Sequence, residues 1–291
     1  MASIKAIRQR ITGVSDTRQI VRAMDMVAAS KLQRIKPRLE GARVMFNETR
    51  RVIDGLRNCH AGASHRYISP GEVKNSAYIV ISGDRGLCGS YNSNVSRFAL
   101  SRVDESPNPG KASVIAIGLQ GQEFFQNRGR RVLRGYRDVS DTVIYEDIEK
   151  ISHIILDMLD KGDVDEVFLV YTGYKTALEH VPLIDRLLPI GTNPDNPLWY
   201  DTVIYEPDTA SFIERAVPLY MTAYLYYAAL ESAACEQTAR MTSMSAASSS
   251  AEEIIEKLTR EYNSRRQGMI TQEINEITSG ARASRRRKVK A

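Results

Sequence analysis

Residues 4–56 read IKAIRQRITGVSDTRQIVRAMDMVAASKLQRIKPRLEGARVMFNETRRVIDGL, and their apolar positions recur at alternating spacings of three and four. The positions of this stripe are Ile4, Ile7, Ile11, Val14, Arg18, Val21, Asp25, Ala28, Leu32, Ile35, Leu39, Ala42, Phe46, Thr49, Ile53 and Leu56. Only Arg18, Asp25 and Thr49 among them are not apolar. A repeat of this spacing stays on one side of a slightly underwound helix, which then needs a partner helix along its length. The stretch predicts one long helix of a coiled coil.

The other end of the chain has the composition of a second long helix. Residues 219–286 contain no proline and only two glycines, whereas nine of the ten prolines fall between Pro70 and Pro218. At about 1.5 Å per residue, the two helices would be roughly 80 and 100 Å long, more than the width of a domain. Because the chain leaves along one helix and returns along the other, the sequence predicts an antiparallel coiled coil.

A helix bundle broken at interior glycines and prolines is the alternative. The breaks would fall near Gly13, Pro37, Gly41 and Gly55, since an interior proline costs about 3 kcal/mol and often kinks a helix. The stripe resumes in phase at Leu39, after the proline. This continuity favours one helix held together by its partner.

Between residues 70 and 206 the pattern changes to short β-rich runs that alternate with amphipathic segments. The predicted strands are 77–82, 113–117, a weak 132–133 and 166–171, with helices near 91–103, 119–127 and 141–160, and edge strands at 181–190 and 203–205. Strand, helix and strand in this order predict a mostly parallel sheet covered on both faces. The fold class expected is α/β, with a Rossmann-like domain beside the long antiparallel coiled coil of the N- and C-terminal helices.

Four segments follow from these patterns. They are an N-terminal coiled-coil helix at 1–60, the Rossmann-like α/β domain at 70–206, a C-terminal coiled-coil helix at 208–286 and a basic tail at 287–291. Residues 1–58 carry thirteen basic against five acidic side chains, and residues 281–291 add six basic ones. The basic termini predict either a polyanion such as nucleic acid or an acidic protein sleeve as the partner.

The composition excludes several classes of protein. With 43% apolar and 26% charged residues, the 291-residue chain is predicted to be neither disordered nor membrane-spanning, and its start suggests no signal or transit segment. Cys59, Cys88 and Cys235 are odd in number and widely spaced, so neither a disulfide scaffold nor a cysteine zinc site is expected. A site formed by Cys59, His60 and His65 is a remote alternative, and no metal is predicted.

The loop at residues 83–89 is the one candidate for nucleotide binding. Its glycines fall in the pattern GxxGxxG, which differs from both common phosphate-binding loops, and Asp84 would repel a phosphate. Cys88 beside Arg85 could be an activated thiol, but the sequence places no catalytic histidine near it. A tight strand-to-helix turn is favoured, and no catalytic or cofactor-binding residue is predicted.

Four motifs resemble one known family. Residues 22–31 (RAMDMVAASK) are similar to the N-terminal helix signature of the γ subunit of F-type ATP synthases, and residues 82–89 (SGDRGLCG) resemble the loop after its first strand. Residues 236–241 (EQTARM) and 270–281 (ITQEINEITSGA) resemble its C-terminal helix. The matches are ordered and span nearly the whole chain.

The resemblance implies a rotor. In that family the paired terminal helices fill the cavity of a hexamer of α and β subunits, and the α/β domain rests with ε on the membrane-embedded c-ring. It implies a non-catalytic protein without cofactor, present as one copy per complex, that carries torque between the c-ring and the hexamer. It further implies no nucleic acid partner, no insertion into the membrane, and a peripheral position on the cytoplasmic face of the bacterial inner membrane.

The resemblance also implies contact residues. By matching position, those that touch the α/β ring are Met24, Arg240, Gln267, Thr271 and Glu273, and those near the foot that meets the c-ring are Tyr205 and Glu206. A structural role in a helix or turn is the alternative for each residue. A nucleic-acid-binding coiled coil and a small nucleotide-dependent enzyme are the alternatives for the whole chain.

Overall fold

The computed structural model describes residues 4–57, 65–69, 71–174, 180–191 and 205–288. The chain divides into two compact units, one formed by residues up to 27 together with those from 242 onward, and one formed by residues 28–241. The elements are, in chain order, α1 (Ile4–Leu56), β1 (Ser76–Ile81), α2 (Tyr91–Asp104), β2 (Ser113–Ile117), α3 (Leu119–Gln126), β3 (Val132–Tyr136), α4 (Val139–Thr142), α5 (Tyr145–Asp160), β4 (Glu166–Tyr174), β5 (His180–Leu188) and α6 (Thr209–Lys288).

The two terminal helices are long and continuous. α1 comprises 53 residues and includes Pro37, so the alternative of a bundle broken at interior glycines and prolines is wrong. α6 comprises 80 residues and includes Pro218 near its start. An interior proline is tolerated where packing on a partner compensates for the lost hydrogen bond.

The helices pair antiparallel within each unit. In the first unit Arg18 contacts Glu252 and Arg22 contacts Ser248, so the partner's number falls as the number along α1 rises. In the second unit the Phe46 ring stacks on that of Tyr224, with centroids 4.3 Å apart. The apolar stripe of α1 therefore packs on α6, as its spacing predicts.

The second unit contains a five-stranded sheet in the order β3-β2-β1-β4-β5. β1 is central and pairs in parallel with β2 and β4, while β3 pairs in parallel with β2. β5 joins the edge antiparallel to β4. The expected α/β class, with a Rossmann-like sheet beside long terminal helices, is confirmed.

Alternate residues of the strands bury two faces of this sheet. On one face Ile79 of β1 packs in a core with Ile151 of α5 and Leu225 of α6. On the other face Val80 packs with Val95 of α2 and with Phe125 of α3. Strand side chains point alternately to the two faces, so a sheet covered on both sides needs continuously apolar strands such as β1.

Three predicted elements differ in the structure. The helix expected at 141–160 is divided into α4 and α5, because Val143 takes a left-handed backbone with φ of 46°. The weak third strand extends to Tyr136. Of the edge strand expected at 203–205, residues 203 and 204 lie outside the described residues, and Tyr205 is not in a strand. Among the helices that the structure describes, none is long and apolar enough to span a membrane.

Candidate functional site

The loop after β1 lies at the carboxyl edge of the parallel strands, where folds of this class usually bind ligands. Its Asp84 is fully engaged within the domain. One carboxylate oxygen accepts a hydrogen bond at 2.9 Å from the backbone N–H of Leu119, the first residue of α3. The other oxygen accepts a hydrogen bond at 2.6 Å from the Ser140 hydroxyl. Asp84 therefore fastens the loop to two neighbouring helices, which explains an acidic residue in this position.

The space beside Gly83 is filled by a side chain of α6. The Gly83 N–H donates to the Asn92 side-chain oxygen at 2.8 Å. A Cβ at Gly83 would lie only 2.8 Å from Cδ of Glu236, so the glycine is needed for the carboxylate of Glu236 to approach the loop. The chain's own carboxylate thus closes the edge of the sheet at which a phosphate would be expected.

Glu236 is held there by an ion pair. Arg240 donates to Glu236 from the next turn of α6, and to the Gln237 side-chain oxygen at 2.9 Å. It also donates to the backbone oxygen of Gly86 at 3.4 Å, which ties α6 to the loop. Arg240, predicted as a contact with the α/β ring, is only 8% exposed in the chain itself.

The thiols near this loop are not poised for catalysis. Cys88 and Cys235 are buried in one small cluster with Tyr91. Burial raises the pKa of the Cys88 thiol, and the nearby Glu236 carboxylate raises it further. Burial likewise raises the pKa of Cys235. Because the reactive form is the thiolate, both residues are inert at neutral pH.

The metal alternative receives no support from the described residues. In that part of the chain, no three His, Cys, Asp or Glu side chains are grouped to hold a metal ion. Cys59 and His60 lie outside the described residues, whereas His65 is described. Burial lowers the pKa of His65, with a contribution from the Arg66 guanidinium.

The remaining residues predicted to touch the α/β ring lie in the first unit. Met24 is partly buried on α1, whereas Gln267, Thr271 and Glu273 are exposed on α6. The Thr271 hydroxyl donates to the Gln267 backbone oxygen at 2.9 Å, which places these two on one face. The structure therefore groups Gln267 with Thr271 and places Arg240 in the other unit.

Exposed apolar residues on the same part of α6 were missing from the sequence-based prediction. They are Met269, Ile270, Ile274 and Ile277, of which Ile274 is 55% and Ile277 is 71% exposed. Residues four and three apart share a helix face, so Ile270, Ile274 and Ile277 form one apolar stripe. The spacing of these isoleucines could have revealed it, although spacing alone could not tell that it is exposed.

Tyr205 and Glu206 lie just before α6. The Tyr205 ring packs near that of Phe212, with centroids 5.1 Å apart. Glu206 is exposed and lines a largely apolar cleft of about 370 Å³ together with Pro207 and Leu219. The structure therefore places both residues in one surface region of the second unit.

The fold and this site define a class: an α/β domain carried between two long antiparallel helices, with its usual ligand edge closed by the chain's own carboxylate. A family model described as ATP synthase matches residues 3–283. The ATP synthase gamma chain of Desulforamulus reducens is 36% identical over 284 residues, covering 97% of this chain and 99% of the relative. The gamma chain of Acinetobacter baumannii is 34% identical over 289 residues, covering 97% and 100%. The chain belongs to the ATP synthase gamma-chain family.

Solved structures share the fold. The central stalk and c-ring structure of Tetrahymena thermophila mitochondrial ATP synthase contains a chain with a TM-score of 0.58 and 24% identity, covering 79% of this chain and 99% of that one. A chain in the Euglena gracilis mitochondrial ATP synthase structure of OSCP, F1 and c-ring has a TM-score of 0.68 and 17% identity, covering 96% and 94%. These structures support the architecture of the two long helices and the α/β domain.

Proposed function

We propose that this chain is the central rotor shaft of an F-type ATP synthase. It transmits torque between the ion-driven c-ring and the catalytic hexamer of α and β subunits, as one copy per complex. The observation that carries the proposal is the antiparallel pairing of α1 and α6 within each unit, in a chain of the gamma family. Two helices locked along a seam resist bending and twisting better than a single helix.

We propose that the α/β ring contacts two segments of the chain: the exposed residues 267–277 of α6 and the family signature at residues 22–31 of α1. A stripe formed by Ile270, Ile274 and Ile277 has no cover among the described residues and fits an apolar sleeve. Met24, Gln267, Thr271 and Glu273 complete this contact set. Arg240 belongs to the set by resemblance, although most of its surface is used within the chain.

The foot is proposed to contact the c-ring and the ε subunit. Glu206 lines an apolar cleft on the surface, and Tyr205 packs on Phe212, which also lines it. Such a surface suits a protein partner. The basic N-terminal helix suits acidic loops of the β subunits, because exposed, solvated charges form weak contacts that can slide.

The proposed subunit performs no bond chemistry and uses no cofactor or metal. Support comes from the engaged Asp84 and from the buried thiols, which leave the loop after β1 without a reactive group. The chain would act peripherally on the cytoplasmic face of the bacterial inner membrane. The proposed functional segments are those expected from the sequence: the helices at 1–60 and 208–286, the domain at 70–206 and the tail at 287–291.

Co-purification from the native organism tests the assignment. A tagged copy of the full chain is expected to bring down the α, β and ε subunits in a complex that hydrolyses ATP. The matched control is a chain with Ile274→Asp and Ile277→Asp, which places charge on the apolar stripe and should reduce recovery of α and β. Recovery of nucleic acid without α or β would instead support the nucleic-acid-binding alternative.

A further inference from the structure

A polar cleft of about 500 Å³ lies in the second unit between α1, α6 and the β4-β5 edge of the sheet. Its volume falls within the range of small-molecule sites, roughly 300–1,000 Å³. Four arginines line it: Arg43 and Arg50 of α1, Arg57 directly after α1, and Arg186 of β5. The only carboxylates among the lining residues are Asp54 and Asp185. The wall of the cleft therefore carries an excess of positive charge.

Arg43, Arg50 and Arg57 recur every seven residues, and the Arg57 N–H still donates to the Ile53 backbone oxygen at 2.9 Å, so the three lie on one face over roughly 20 Å. Arg57 is already engaged, because its Nε donates to the Gly191 backbone oxygen at 2.6 Å and its Nη1 pairs with Asp54 at 3.2 Å. Arg50 reaches the same carboxylate only at 3.9 Å. Arg43 faces the ring of Tyr227 at 6.0 Å and lies close enough to the Glu231 carboxylate to offset part of the rise that burial causes in its pKa. Arg43 and Arg50 thus retain donors for a ligand.

The Asp185 carboxylate already has a hydrogen-bond partner within the chain. The Tyr224 hydroxyl donates a hydrogen bond to Asp185, which partly compensates the negative charge of this carboxylate. Burial raises the pKa of Tyr220 and of Tyr227 to about 12 in each case. These two phenols therefore remain neutral at physiological pH and add hydroxyl groups, rather than negative charge, to the wall of the cleft.

We propose that this cleft binds a small molecule carrying two or three linked phosphates, with Arg43 and Arg50 as its main ligands. Both side chains are exposed on α1. Guanidinium groups match phosphate oxygens in bidentate geometry, and charge-assisted hydrogen bonds are roughly twice as strong as neutral ones. The size of the cleft and the spread of the arginines fit an extended polyanion better than a single phosphate. The cleft shares no lining residue with the loop after β1 or with the stripe proposed to meet the α/β ring.

Equilibrium dialysis of the purified full chain tests the proposal, with inorganic phosphate, pyrophosphate and ATP as separate probes and no added divalent metal. A constant ionic strength of about 0.15 M limits nonspecific attraction between exposed charges. Pyrophosphate and ATP are expected to bind at one equivalent per chain, with inorganic phosphate about tenfold weaker. Arg43→Gln and Arg50→Gln are each expected to weaken binding of pyrophosphate about tenfold, as loss of a charge-assisted hydrogen bond does.

Arg51→Gln is the matched control, because it removes the same charge from the adjacent position of α1. Arg51 pairs with Glu48 on the exposed surface and does not line the cleft. It should change pyrophosphate binding less than twofold. The proposal is overturned if neither pyrophosphate nor ATP binds at millimolar concentration, or if the Arg50 and Arg51 variants weaken binding equally. Neither result would bear on the rotor role, which does not depend on this cleft.

Discussion

Arg240 and Glu236 form an ion pair one turn apart on α6, with only 9% and 4% of their side-chain surfaces exposed. Arg240 also reaches the Gly86 backbone oxygen, so the pair joins the long helix to the loop after β1. A charge removed from water is costly unless a partner compensates for it. The pair therefore makes the attachment of helix to domain depend on both residues.

Replacing one member of this pair should destabilise the protein more than replacing both. Arg240→Met leaves the Glu236 carboxylate buried without its cation, and we expect the free energy of unfolding to fall by about 3–5 kcal/mol. The double variant Glu236→Gln, Arg240→Met removes both charges and should recover most of that loss. Urea unfolding followed by circular dichroism measures both values.

An exposed pair on the same helix is the control for this experiment. Arg260 and Glu256 are also one turn apart, but 82% and 64% of their side-chain surfaces are exposed. Arg260→Met should therefore change the free energy of unfolding by less than about 0.5 kcal/mol. Equal effects at residues 240 and 260 would contradict the role assigned to the buried pair.

Adding one methyl group at Gly83 should disturb the same attachment. Its Cβ would approach Glu236 within 2.8 Å, and that carboxylate is held by Arg240. Gly83→Ala should cost about 1–3 kcal/mol, the usual range for overpacking a well-packed site. Gly86→Ala is the matched control, since a Cβ there meets nothing within 4 Å. Thermal unfolding that reports the same midpoint for both variants would refute the close packing at Gly83.

Glu231 should make the stability depend on pH. Burial raises its pKa above the ordinary value, so ionisation favours the unfolded chain. Its contribution to stability is complete below the ordinary glutamate pKa and is lost as the pH rises through the raised value. The substitution Glu231→Gln removes this pH-dependent loss of stability, because glutamine does not ionise. Its side-chain oxygen can still accept the hydrogen bond from the Tyr174 backbone N–H.

The variant Glu231→Gln should therefore be stabilised relative to the parent chain. This gain in the free energy of unfolding should be larger at pH 8 than at pH 4.5. Glu149→Gln, at an exposed position of α5, provides the comparison and should show no such difference. A Glu231→Gln variant whose advantage grows as the pH falls would contradict the assigned direction of the pKa shift.

Periodicity predicted the fold well because it records which side of an element is buried. The stripe through Leu39 and Phe46 predicted α1, and the strand at 113–117 was predicted with the observed bounds. The antiparallel direction of β5 could not be predicted, since a strand's apolar pattern is the same for either direction of pairing. The break at Val143 was also missed, because a left-handed backbone at a β-branched residue has no local sequence signal.

The site was less predictable because it depends on contacts between distant parts of the chain. The spacing of Glu236 and Arg240 suggests an ordinary surface pair on a helix. Only the fold places Gly83 against this pair, which turns it into a buried one. The polar cleft was missed for the same reason. Its tyrosines on α6 have the spacing of core residues, whereas its arginines on α1 have the spacing of a solvent-exposed helix face. Their meeting in one cleft follows from the packing of three elements.

Rotation of the assembled complex is the most direct test of the rotor assignment. Lys111, exposed just before β2, can be replaced by cysteine to carry a bead, in a chain whose Cys59 is replaced by serine. The complex with α and β subunits is fixed to a surface through β, and the bead is followed during ATP hydrolysis. A rotor shaft should carry the bead through continuous rotation in one direction, and this rotation should stop when ATP is withdrawn. A complex that contains this chain and hydrolyses ATP while the bead remains stationary would contradict the rotor assignment.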